Sequence, residues 1–338
     1  MYVRRSFEFR RIWPITTVIL LSSGAYAGVI CALFVFQGMD WLRVPALPVT
    51  VMGTAVSFYL GFKGNAAYDR VWEARKIWGG IVNTSRTWGA HVTAFVNHDF
   101  VEGEKREDLA ALHEELVYRH VAWLGSLRTQ LRRRKSWEND QPRMKAYREK
   151  FGTHDTSPEM LRSRIEPFLD AEEVEWVMAR QNQSTQLLHR QSTRLAELKS
   201  AGLLDDFRHM ELAEAIETLY TLQGKCERIK NFPLPRQYST VNHWFVTLFL
   251  LGVPLALTNS FAAQSSSAIW WTIPTTMVLS WIFSIWNSVI DYTENPFEGL
   301  INDIPIDALA RTIEIDLREM LGEVNLPAKI TPTDDVLM

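Results

Sequence analysis

The hydrophobic and polar positions of this chain separate into blocks. Ile12 to Met39, Val44 to Phe62 and Gln237 to Ile290 contain no Asp, Glu, Lys or Arg. Each run reaches the roughly 18 uncharged, mostly apolar residues that a membrane-crossing helix needs. The third is too long for one crossing and is divided by Thr258-Asn259-Ser260 and Gln264-Ser265-Ser266-Ser267. The pattern predicts four spans, near Pro14–Gln37, Pro45–Phe62, Val241–Leu257 and Ala268–Ile290, the last two joined by a short turn. Trp13 and Pro14 suit an interface and a first helical turn, and Trp270 and Trp271 suit the opposite interface. Gly24-x-x-x-Gly28 fits close helix packing within the first span.

The charged blocks are helical by pattern. Leu109, Leu112, Leu116, Trp123, Leu127 and Leu131 fall three, four or seven apart and line one face. Met210, Ile216, Leu219, Cys226 and Ile229 do much the same, with Asp205 or Asp206 as the cap, and Ile306, Leu309, Ile313, Leu317 and Leu321 mark a last helix. No strand alternation and no fixed repeat occur. Arg134–Pro158 is mixed and polar and reads as a connector, and the last dozen residues read as a loose tail. The expected organisation is residues 1–62 with two spans, 63–236 as a large helical region, 237–290 with two spans, and 291–338 as a helix and tail.

Composition adds orientation. All 36 basic and 39 acidic residues crowd into the remaining positions, so a mean hydropathy of -0.10 averages two different materials. A single soluble enzyme domain is excluded on that ground. Arg4, Arg5, Arg10 and Arg11 precede the first span, Lys63, Arg70, Arg75 and Lys76 follow the second, and Lys225, Arg228, Lys230 and Arg236 precede the third. The first two spans have only Arg43 between them, and the last two no basic residue, which puts both termini and the middle region in the cytoplasm of an inner-membrane protein. A net charge of -3 carries no signature of nucleic-acid binding. Cys31 and Cys226 fall in different blocks and make no disulfide framework.

Two stretches carry candidate chemistry. Thr54, Phe58 and Phe62 stand at i, i+4 and i+8 of the second span and share a face. That face either packs against lipid and neighbouring helices or, repeated around an axis, forms an apolar throat that gates by wetting. The cluster from Gly61 to Arg75 follows at once; Lys63, Asn65, Asp69, Arg70 and Glu73 make it either a solvated helix face or a pore mouth. His113 and His120, near Glu114, are too sparse for a metal shell and read as surface or packing residues. Arg132-Arg133-Arg134-Lys135 reads as a solvated helix end. No metal site, cofactor loop or nucleophile motif is present.

Three segments resemble a known family. LGFKGNAAYDRVWEARKIWGGIVNTSR (Leu60–Arg86), NFPLPRQYS (Asn231–Ser239) and ENPFEGLINDIPIDALARTIEIDL (Glu294–Leu317) are similar, in order, to hallmarks of the bestrophins, particularly the prokaryotic branch. The resemblance implies an all-α membrane protein with four transmembrane helices and a large cytoplasmic helical region, assembled as a homopentamer around a central pore. It implies a channel for chloride and other small monovalent anions, with cation-permeable prokaryotic members as the alternative. Its partners are then copies of itself, membrane lipids and small inorganic ions. The family's neck maps onto Thr54, Phe58 and Phe62, where Thr54 replaces the usual apolar residue. Its cytoplasmic constriction, an aliphatic residue before a proline, maps onto Leu234, although Pro233 offers a second register. Animal members carry a calcium clasp after Asn-Pro-Phe. Here Asn295-Pro296-Phe297 is followed by Glu298-Gly299-Leu300-Ile301-Asn302-Asp303, which lacks the acidic run, so no high-affinity calcium switch is expected. The rival from another class is a non-conducting membrane scaffold or sensor.

Overall fold

The computed structural model describes residues 1–39, 41, 43–99, 108–138, 142–151 and 155–338. Its helices are α1 (Phe9–Gln37), α2 (Ala46–Phe95), α3 (Leu109–Arg132), α4 (Pro142–Lys150), α5 (Pro158–Ile165), α6 (Ala171–Met178), α7 (Gln183–Ser200), α8 (Asp206–Asn231), α9 (Arg236–Ala262), α10 (Thr272–Asp291) and α11 (Ile306–Met320). Extended pairing among the described residues is limited to isolated bridges, Tyr2 with Val336 and Thr333 with Val336. The chain forms two compact units. One comprises Arg4–Asp69 and Pro233–Glu294, the other Met1–Val3, Arg70–Phe232 and Asn295–Met338.

The first unit holds the apolar runs. Among the described residues, three helices are long and apolar enough to cross a membrane: Phe9–Gln37, Ser239–Ala262 and Ala268–Asp291. The expected second span is not among them. It forms the first part of α2, which continues unbroken past Phe62 for 50 residues in all. At 1.5 Å per residue that helix is about 75 Å long, more than twice the hydrocarbon thickness of a bilayer. The helix continues beyond the expected span because propagation requires helix-forming residues, not apolar ones, and Lys63, Ala66, Ala67, Arg70, Glu73 and Ala74 supply them. Helix α1 also begins earlier than expected, so Pro14 lies inside it. A side chain on Gly24 would meet Met277 Sδ at 3.0 Å, and one on Gly28 would meet Ile273 at 3.9 Å. The small-residue pair therefore seats α1 against α10.

The second unit holds one large core. Trp78, Trp88 and Trp123 are fully buried, with the expected faces of α3 and α11 around them. On α8, Ile216, Leu219, Cys226 and Ile229 are buried, but Met210 is 67% exposed and is corrected from core to surface. Asp205 is the cap, accepting from the amides of Phe207 and Arg208.

Three sequence expectations fail here because contacts between residues distant in sequence bury what reads locally as exposed. Arg132 is not a solvated helix end; it is buried, 2.5 Å from Asp303. The expected connector contains α4 and buries Met144 and Arg148, while Glu138 pairs with the buried Lys230. Residues 139–141 and 152–154 of that stretch lie outside the described residues. The expected tail is packed: Val336 and Met338 are buried, and the amide of Ala308 donates to the carbonyl of Met338 at 2.8 Å.

His120 is also part of this core. Its Nε2 is 2.8 Å from Ser85 Oγ, and its ring lies between Trp88 and Trp123. Burial pushes its pKa down from 6.5 to about 3. The imidazole is therefore neutral when folded but binds a proton below pH 6.5 when unfolded. Its contribution to stability is complete above pH 6.5 and is lost progressively toward pH 3. Lowering the pH from 7 to 5 is expected to remove about 2 kcal/mol through this residue. Melting of the detergent-solubilised protein should show a slope over that range that His120→Gln flattens; an unchanged slope would contradict the assignment.

Candidate ion pathway

The exposed face of α2 carries the residues expected to line a throat. Thr54 is exposed, Phe58 is 65% exposed and Phe62 is 69% exposed. Val56, Leu60 and Ala67, on the other side of the helix, are buried against Val246, Phe249, Val253 and Ile290 of α9 and α10, and Lys63 on that side is buried too. The approach is close: a side chain on Gly53 would stand 2.7 Å from the Phe249 ring. Asn65 and Asp69 extend the exposed face beyond Phe62. At 100° per residue, positions 54, 58, 62, 65 and 69 fall within about 80° of arc. The hydroxyl of Thr54 donates to the carbonyl of Thr50 at 3.0 Å, so its proton is used within the helix and the outward surface is methyl and oxygen lone pairs.

The five expected mouth residues do not act alike. Lys63 is buried. Its Nζ lies 2.6 Å from Asp291 Oδ1 and 3.5 Å from Glu294 Oε2, and it donates to Ser239 Oγ at 3.3 Å. It therefore offers no charge on the exposed face of α2. Arg70, in the other unit, donates to the carbonyls of Ile229 and Phe232 at 3.0 and 2.9 Å, capping the end of α8. Glu73 pairs with Lys76 at 2.8 Å, and that bond to the ammonium holds the carboxyl below its usual range. Asn65 and Asp69 remain on the exposed face. Leu234 is half-buried in the bend between Pro233 and Pro235, just before α9.

Sequence reasoning missed the partners of Lys63. Asp291, Glu294 and Arg236 form a charge-balanced group with it, and Arg236 Nη1 lies 3.5 Å from Glu294. Asn242 donates to Asn287 at 2.6 Å and Asn287 to Asp291 at 3.3 Å, extending the network. A signal was present. Lys63 and Asp291 are the first charges beyond two uncharged runs, and Arg236 is the last charge before one. Charges at matching ends of packed spans are natural partners.

The sequence model described as Bacterial/Fungal Bestrophin protein matches residues 5–319. The chain belongs to the bestrophin family. Members of this family are ion channels, not enzymes. Among similar bestrophin sequences, a voltage-dependent anion channel-forming protein of Mesorhizobium japonicum is 28% identical over 309 residues, covering 91% of this chain and 85% of its own. The voltage-dependent anion channel-forming protein YneE of Escherichia coli strain K12 is 25% identical over 336 residues, covering 98% and 95%. A crystal structure of a bacterial bestrophin homologue from Klebsiella pneumoniae aligns with a TM-score of 0.75 at 22% identity, covering 91% of this chain and 99% of that one. That likeness shows a shared fold.

In this bestrophin the Asn-Pro-Phe segment wraps around one carboxylate. Asp303 Oδ1 accepts from the amides of Phe297 at 2.8 Å and Ile304 at 2.7 Å; Oδ2 accepts from the amide of Gly299 at 2.7 Å and from Arg132. Phe297 adopts φ 75° and Gly299 φ 79° to aim those amides inward. A cation binding Asp303 would have to displace a guanidinium and three N–H donors, whereas calcium needs six to eight free oxygens. Current through the purified protein is therefore expected to be the same with calcium chelated and with micromolar free calcium. A calcium-dependent rise would contradict this reading of the loop.

Proposed function

We propose that this bestrophin is a homopentameric channel of the inner membrane that conducts chloride and other small monovalent anions, with both termini in the cytoplasm. Five copies of α2 surround the axis, and its first part is the fourth span. A pore-lining helix need not be apolar all round, which accounts for Thr50, Thr54, Ser57 and Tyr59 in this stretch. Thr54, Phe58 and Phe62 form the neck, and Leu234 forms the cytoplasmic constriction. The observation that carries this reading is the exposed stripe of α2: two large aromatic side chains, each about two-thirds exposed, on the side of the helix opposite the packed residues Val56, Leu60 and Ala67. The names of the relatives, all anion channel-forming proteins, support the choice of anions.

The neck holds no fixed charge, so it cannot select the sign of an ion by Coulomb attraction. The electropositive rims of Phe58 and Phe62 provide a weaker preference for anions. One observation favours the second reading, a cation-permeable channel: Asp69 is exposed on the same face, below the neck. Liposomes containing the purified protein and loaded with chloride test the function. Protein-dependent chloride efflux under an applied potential is expected. No efflux of any ion, from the parent or from a neck-widened variant, would overturn the channel reading in favour of a scaffold.

A further inference from the structure

The buried Lys63 group has a consequence for the exit. Lys63 of α2 reaches Ser239 at 3.3 Å and Glu294 at 3.5 Å. Glu294 in turn contacts Arg236 at 3.5 Å and accepts from Ser239 at 3.5 Å. Arg236 and Ser239 form the first turn of α9, immediately after Leu234. That bend is poor in backbone donors, because Pro233 and Pro235 carry no N–H. The side chains of the turn that follows, Arg236 and Ser239, therefore help to hold the Leu234 segment.

The charge balance makes this hold firm. Lys63 and Arg236 offset Asp291 and Glu294, and the side chains of Lys63 and Glu294 are only 1% and 3% exposed. Removing the ammonium takes one of two cations at 3.5 Å from the buried Glu294 and the partner at 2.6 Å from Asp291, a larger penalty than the loss of an exposed pair.

We propose that Lys63 is a positioning residue for the exit: from the neck helix it clamps the start of α9 through Glu294 and Ser239, so that the neck and the Leu234 constriction are displaced together. This rests on the reading of α2 as the neck and Leu234 as the constriction.

The test is the rate at which a charged thiol reagent modifies Leu234→Cys in the full-length purified protein, read by intact mass. Both native cysteines are buried, which keeps the background low. Adding Lys63→Met is expected to raise the rate at least tenfold, and the milder Ser239→Ala severalfold. The rate at Phe58→Cys should stay within twofold in both backgrounds. If Lys63→Met does not fold, Ser239→Ala decides the matter alone. Unchanged Leu234→Cys rates would overturn the clamp, as would an equal rise at Phe58→Cys, which would mean general loosening. Current recorded from the same modified protein separates the two claims. If labelling Leu234→Cys leaves parent current intact, the constriction assignment fails, while the mass-derived rates still judge the clamp.

Discussion

Phe62→Ala is expected to raise single-channel conductance by about threefold or more. Phe62 is at the inner end of the neck stripe and is 69% exposed, so its ring packs little within its own chain. Truncation widens an apolar throat and lowers the cost of wetting it. Stability should change little, because the buried side of α2, with Val56, Leu60 and Ala67, is untouched. Phe58→Ala should act in the same direction, whereas Leu60→Ala, on the buried side, should lower the melting temperature without a comparable gain in current. Single-channel recordings of the three variants check this. Unchanged conductance and selectivity in both phenylalanine variants would remove α2 from the pore.

The largest stability effect is expected from Asp303→Asn. The change is nearly isosteric, but it removes the charge opposite Arg132 and turns one of two acceptor oxygens into a donor. That donor then faces either the amides of Phe297 and Ile304 or the amide of Gly299 and the guanidinium. Arg132 is 2% exposed in its side chain and, among the described residues, keeps Asp307 at 3.7 Å and the carbonyl of Ile304 at 3.4 Å. Breaking one side of a buried pair of this kind costs about 3–5 kcal/mol. For a unit of this size that is a fall in melting temperature on the order of 10 °C. Arg132→Met should cost a similar amount, and the double variant less than the sum, because each single change leaves the other partner stranded. A fall of only a degree or two would show that the loop does not depend on Asp303.

The sequence made legible what depends on local periodicity. The leucine faces of α3 and the apolar face of α11 were readable because one side of each packs into a core. Three spans were readable from the length of their uncharged runs. Features set by residues distant in sequence were not. Arg132 meets Asp303 across 171 positions, and nothing local distinguishes it from Arg133 or Arg134. The length of α2 was hidden because Lys63 reads as the end of a span, although a buried partner lets the helix carry a charge inward. Met210 kept the helical spacing but not the burial, since spacing cannot say where an apolar face stops. Val336 and Met338 pack as single residues, without any period to reveal them. In the candidate pathway, position along α2 was readable from spacing. That Lys63 is buried among Asp291, Glu294 and Ser239 follows only from contacts between segments distant in sequence.

Anion conduction is decided by the reversal potential of the purified protein in a planar bilayer under a tenfold KCl gradient. A reversal close to the chloride equilibrium potential is expected, with a larger current at the same reversal for Phe62→Ala. Reversal at the potassium potential would contradict anion selectivity and move the determinant to Asp69. No current from either protein would contradict the channel itself.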